Sequence, residues 1–97
     1  MHVCVCRLTL ELAGIQNLKD KRKIVRSVTA KVRHRFNVAI AEIDDNDLWQ
    51  RLTLGVCCVS NDSSHANSVI SQVVNFIESI RGDVYMLDYQ MEIVSGI

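Results

Sequence analysis

Lys19, Lys21, Arg22, Lys23 and Arg26 place five cations within eight consecutive positions of this chain. The segment that carries them reads as the opening of a helix beginning at Leu18, capped by Asn17 with Asp20 three residues on. Cations are disfavoured there, because the first turn of a helix is the positive end of its dipole and each misplaced charge costs a few tenths of a kcal/mol. An anion would relieve the conflict, since unpaired backbone N–H groups and cationic side chains would then converge on it. Phosphate of RNA is the natural candidate. A second charged group lies between two predicted strands, where Asp44, Asp45 and Asp47 precede Trp49 and Arg51. Those aspartates could instead neutralise the cluster, within one molecule or across a dimer. Trp49, the sole tryptophan, either anchors the turn or meets a partner.

Other chemistry is poorly supported. Cys4, Cys6, Cys57 and Cys58 lie within predicted strands and lack the loop-borne Cys-x-x-Cys spacing of metal sites, so they read as small apolar core residues and no metal is expected. His2, His34 and His65 are scattered, and no Ser/His/Asp or Cys/His set can be assembled. The loop Ala13–Gly14–Ile15–Gln16–Asn17 is superficially similar to the phosphate cradle of acylphosphatases. Its glycine spacing differs, and Asn37 lacks the expected Asn–Asp–Gly context. Catalysis and a cofactor are therefore not expected.

The elements that must position these residues follow from periodicity. Residues 2–12 alternate strictly, with Cys4, Cys6, Leu8, Leu10 and Leu12 on one side, which predicts a half-buried strand. Ile24, Val25, Val28, Val32 and Phe36 form a helical stripe, and that helix should run to about Arg35. Residues 37–44 and 50–60 read as strands rich in Val, Ile, Thr and Leu. Asp62 or a neighbour should cap a second helix with Ala66, Val69, Ile70, Val73, Ile77 and Ile80 inward, ended by Gly82 after Arg81. A last strand over 83–94 should turn Tyr85, Leu87, Tyr89, Met91 and Ile93 inward. The order strand, helix, strand, strand, helix, strand, joined by right-handed crossovers, predicts an α+β, ferredoxin-like βαββαβ fold over residues 1–97 as a single domain. It has a four-stranded antiparallel sheet, strands 1 and 3 central, with two helices on one face.

Composition agrees with this. The chain is 97 residues with 48% hydrophobic content, enough for one core without disulfides or metals. Arg7 and Glu11 interrupt the apolar N-terminus, so neither a signal peptide nor a membrane span is expected, and the cytosol is the default compartment. The formal net charge is zero, yet the halves differ. Residues 1–36 hold nine of the eleven lysines and arginines against two acids, net +7, and residues 37–97 carry net −7. Such asymmetry points to an anionic partner or to self-association.

The run Asn17–Leu18–Lys19–Asp20–Lys21–Arg22 resembles the S-L-K-x-K-R opening of the bacterial YlxP-like family. Asn37–Val38, Ala41–Glu42, Asp47–Leu48–Trp49–Gln50–Arg51 and Val59–Ser60 look like that family's later blocks at the expected spacing. Asn17 stands where serine is common and Asp45 where histidine is common. The resemblance implies a ferredoxin-like fold, an uncharacterised function, and a gene context among translation and ribosome-maturation genes.

Together these readings lead to an expectation of a non-catalytic binding protein that contacts RNA or a ribosomal particle through Lys19, Lys21, Arg22, Lys23 and Arg26. The rival expectation is a self-associating module, most plausibly a dimer, joined through the basic helix and the acidic hairpin or through the open sheet face. That face should carry Val3, Val5, Arg7 and Thr9 beside Arg51, Thr53, Cys57 and Val59. None is aromatic, so base stacking on the sheet is not expected and any RNA contact should be of the backbone, salt-sensitive kind. The two edge strands offer another route to dimers.

Overall fold

The computed structural model describes every residue except Arg81 and Asp83. Its elements run β1 (His2–Leu12), α1 (Leu18–Arg35), β2 (Ala39–Asp44), β3 (Arg51–Ser60), α2 (Ser63–Glu78) and β4 (Val84–Ser95). The strands form one antiparallel sheet in the order β2-β3-β1-β4. This is the ferredoxin-like α+β arrangement, with β1 and β3 central. Cys4, Cys6, Leu8, Leu10 and Leu12 face the helices together with Leu52, Leu54 and Val56, and they join Val28, Val32, Ile70, Val73 and Ile77 in one buried cluster. The strict alternation of β1 produces this division, because successive side chains of a strand point to opposite faces. α1 packs chiefly on β2, whereas α2 lies over β1, β3 and β4.

Local chemistry fixes the helix ends. Asn17 Oδ1 accepts from the Asp20 amide at 2.9 Å, and Asn17 Nδ2 donates to the Asp20 carboxylate at 3.2 Å. Asp62 caps α2 by accepting from the Ser64 and His65 amides. α2 ends at Glu78, earlier than the expected stop at Gly82. Ser79 terminates it, its amide bonding back to Asn75 and its hydroxyl donating to the Phe76 carbonyl at 2.6 Å. Gly82 does adopt a left-handed φ of 100°, but beyond the helix. The residue expected before it, Arg81, and the expected first residue of the last strand, Asp83, lie outside the described residues.

Two bulges shift side chains away from strict alternation. In β4 the register passes from Thr9 opposite Asp88 to Leu10 opposite Met86. The extra residue reverses the phase of the strand. Met91 and Met86 therefore both pack on the core, whereas Tyr85, expected inward, stands opposite Glu11 and is exposed. Leu87, also expected inward, borders a shallow depression with Glu11, Arg51 and Leu48 on the open side. In β2 the register passes from Glu42 opposite Leu54 to Asp44 opposite Thr53, turning both Ile43 and Asp44 toward the open face.

Candidate functional site

The buried side of α1 determines which of its cations are available. Val25, Val28 and Val32 occupy the inward stripe, and Lys21 sits one turn N-terminal to Val25 on that same stripe. Lys21 is accordingly buried, with 1% of its surface exposed. Its Nζ lies 3.0 Å from Glu42 Oε2 and donates to the Asp45 carbonyl at 2.6 Å. Glu42 Oε1 in turn accepts from Asn46 Nδ2 at 3.2 Å. The start of α1 and the β2-β3 hairpin thus meet at one end of the sheet, as the topology requires. Lys21 is withdrawn from the group of expected phosphate contacts: it locks helix to hairpin from inside the protein.

Lys19, Arg22, Lys23 and Arg26 project from the other side of α1 and are exposed. Among the described residues the ion pairs within 4.0 Å are Arg7 with Asp44 and Lys21 with Glu42. No carboxylate among them therefore neutralises this outward row. Arg33, farther along, donates to the Ile40 carbonyl at 2.7 Å.

Two of the three hairpin aspartates are engaged elsewhere. Asp44 Oδ2 accepts from Arg7 Nη2 at 2.9 Å across the open face. The Asp45 amide donates to Asp44 Oδ1 at 2.8 Å. That amide first, and the Arg7 guanidinium second, hold the Asp44 carboxyl below its ordinary range. Asp45 adopts a left-handed φ of 59°, a conformation that Asp tolerates better than most residues. Its carboxylate accepts from the buried Thr53 hydroxyl at 2.6 Å, and its carbonyl also accepts from the Leu48 amide at 3.0 Å. Asp47, Trp49 and Arg51 are exposed, and Arg51 stands opposite Glu11.

The open face holds a shallow groove of ≈ 790 Å³. Ala39, Ala41, Gly55 and Cys57 form its floor, and Val5 and Ile43 border it. The Ile43 side chain lies over Gly55, where a Cβ would come within 2.9 Å of Ile43 Cγ2 and push that side chain aside. The buried thiols offer no nucleophile. Burial pushes Cys6 up to about 11 and raises Cys4 and Cys58. Cys58 Sγ donates to the Ala66 carbonyl at 3.4 Å. No three His, Cys, Asp or Glu side chains gather into a cation-binding group among the described residues. No helix among them is long and apolar enough to cross a membrane.

With this geometry in place, comparison with known proteins adds the family. A model described as "Protein of unknown function (DUF503)" matches residues 3–91. The "Uncharacterized protein YlxP" of Bacillus subtilis (strain 168) is 35% identical over 74 residues, covering 76% of this chain and 78% of that protein. The chain belongs to the DUF503 family, and the resemblance drawn from its short sequence blocks is correct.

Proposed function

We propose that this DUF503-family protein is a non-catalytic binding protein whose outward row on α1, formed by Lys19, Arg22, Lys23 and Arg26, engages the phosphate backbone of RNA, free or in a ribosomal particle. The observation that carries the reading is that these cations stay exposed, with no ion-pair partner among the described residues, on the helix that also holds the buried Lys21–Glu42 pair. A helix fixed to the sheet in this way presents its charges as a rigid row, which lowers the ordering cost of binding. The hairpin of a second copy is a weaker candidate for this row, since Arg7 holds the Asp44 carboxylate and Thr53 the Asp45 carboxylate, which leaves Asp47 to meet four cations. The central strands carry no aromatic residue, which supports contact with the backbone over reading of bases.

Filter binding of the full chain to structured RNA at several salt concentrations tests the proposal. With each cation neutralising one phosphate, affinity should fall with salt at a log–log slope of about −3 to −4, roughly a 100-fold loss between 50 and 200 mM. Arg22→Glu with Arg26→Glu should weaken binding and flatten the slope by about 2. Unchanged binding and slope in that variant would overturn the assignment.

A further inference from the structure

The two edges of the sheet are unequal. β2 is six residues long, carries a bulge at its end, and has its Ile40 carbonyl occupied by Arg33 from α1. Shortness, a bulge and a covering cation are devices that close an edge against further pairing. β4 has twelve residues, and from Asp88 to Ser95 it pairs with β1 without irregularity. Its far end is pinned in place. His2 Nδ1 lies 2.6 Å from Ser95 Oγ, and the Met1 amino group donates to the Ile97 carbonyl at 2.7 Å. On the helix side of this strand Tyr89 remains 48% and Ile93 40% exposed, flanking Met91, which packs on the core. An ordered, uncovered edge with large apolar side chains at alternate positions is a template for another strand.

We propose that β4 is the homodimer edge of this protein, pairing antiparallel with β4 of a second copy about a two-fold axis at Met91. The register follows from the residues themselves. Opposed residues of an antiparallel pair share a face, so a two-fold axis must pass between identical residues. An axis at Asp88 or Glu92 opposes two like carboxylates directly, and an axis at Gln90 sets Asp88 against Glu92 twice, which is destabilising. An axis at Tyr89 carries the pairing through the bulge at Leu87 in both copies. An axis at Ile93 leaves little strand to pair. The Met91 axis sets Tyr89 against Ile93 on both sides of a Met91–Met91 centre, covering the exposed apolar residues on the helix side. On the open side it sets Gln90 against Glu92, an amide donor against a carboxylate, and Asp88 against Val94. No other axis achieves this within the regular stretch. The occupant is therefore a second copy of this chain: the edge is complementary to itself.

Sedimentation and cross-linking of the full chain test this. The mass in solution should be twice 11.0 kDa, and Ile93→Lys, which sets a charge against Tyr89 of the second copy, should weaken self-association at least about 100-fold. Tyr85→Lys, on the opposite face beyond the bulge, should leave it unchanged. Opposed Cα atoms in such a pair lie about 4.5–5.5 Å apart, within disulfide range. Met91→Cys should therefore give an intermolecular disulfide on mild oxidation and Gln90→Cys should not. A monomeric parent protein overturns the proposal, as does a dimer indifferent to Ile93→Lys. A cross-link through position 90 in place of 91 overturns the register. None of these readouts involves RNA, so they stand or fall apart from the function proposed for α1.

Discussion

Replacing Lys21 by methionine separates a structural cation from a binding one. Methionine keeps an unbranched side chain of similar length in the inward stripe and removes the ammonium. Glu42 Oε2 then loses its ion-pair partner at 3.0 Å and the Asp45 carbonyl its donor at 2.6 Å. Stripping one partner from a fully buried pair costs about 3–5 kcal/mol. Glu42 Oε2 is itself buried, but Asn46 still donates to Glu42 Oε1 and the Leu48 amide to the Asp45 carbonyl, so about 2–3 kcal/mol is the expected loss. For a domain of this size the melting temperature should fall by about 10–20 °C. Glu42→Leu should cost a similar amount, since it strands the ammonium of a residue that is almost fully buried. The double variant should lose only about 1–2 kcal/mol, because replacing both members of a buried pair by apolar groups is often close to neutral. Urea denaturation followed by circular dichroism gives all three values and hence a coupling energy of about 3–4 kcal/mol. Strict additivity, or a Lys21→Met cost below about 0.5 kcal/mol, would refute the lock. A second readout closes the argument. At a temperature where the variant is folded, its RNA affinity should match the parent's, and a loss as large as that of the α1 charge reversals would return Lys21 to the binding row.

Two further expectations concern ionisation and reactivity. The Asp44 carboxyl titrates below its ordinary range, so the stability it contributes is present above the unfolded value near 3.9 and is lost as pH falls through the lower folded value. NMR titration of its side-chain carbon should show that low midpoint, and Arg7→Gln should move it only part of the way back, because the Asp45 amide exerts the larger influence. Under native conditions Cys57, partly exposed on the open face, should be the cysteine that an alkylating reagent modifies. Mass mapping should leave Cys4, Cys6 and Cys58 unmodified, and rapid labelling of those three in the folded chain would contradict the packing described.

The fold was legible because β1 and both helices state their periods plainly. Asn17 and Asp62 announced the helix starts, and the order of elements left one compact topology. The ends were less legible. Ser79 terminates α2 by bonding back to its own carbonyls, a local option that competes with the glycine stop. The bulges in β2 and β4 left no mark in composition: Tyr85, Leu87, Tyr89, Met91 and Ile93 alternate perfectly, and only pairing with β1 shows that the phase changes between them. The site was half legible. Lys19, Arg22, Lys23 and Arg26 stand where a helical wheel puts them. Lys21 shares their charge and neighbourhood, but its spacing from Val25, Val28 and Val32 places it on the buried stripe. Its partner Glu42 was hidden by the more conspicuous aspartates that follow it.

The buried pair also explains why the two proposed surfaces coexist without interfering. α1 packs chiefly on β2, and Lys21 and Arg33 both reach across to that strand or the hairpin beyond it. The contacts that present the basic row outward therefore also occupy the edge beside it. The opposite edge, β4, lies under α2. A two-fold axis perpendicular to the sheet at Met91 would continue it into eight strands with all four helices on one side. The two α1 rows would then face the same way, on the order of 30 Å apart at the usual strand spacing. Charge reversal at Arg22 and Arg26 should consequently leave the dimer mass intact, and linking two chains through Met91→Cys should leave the salt response of each α1 row intact. If reversing those arginines dissolved the dimer, the basic row itself would be part of the subunit contact, and RNA would lose its claim to it.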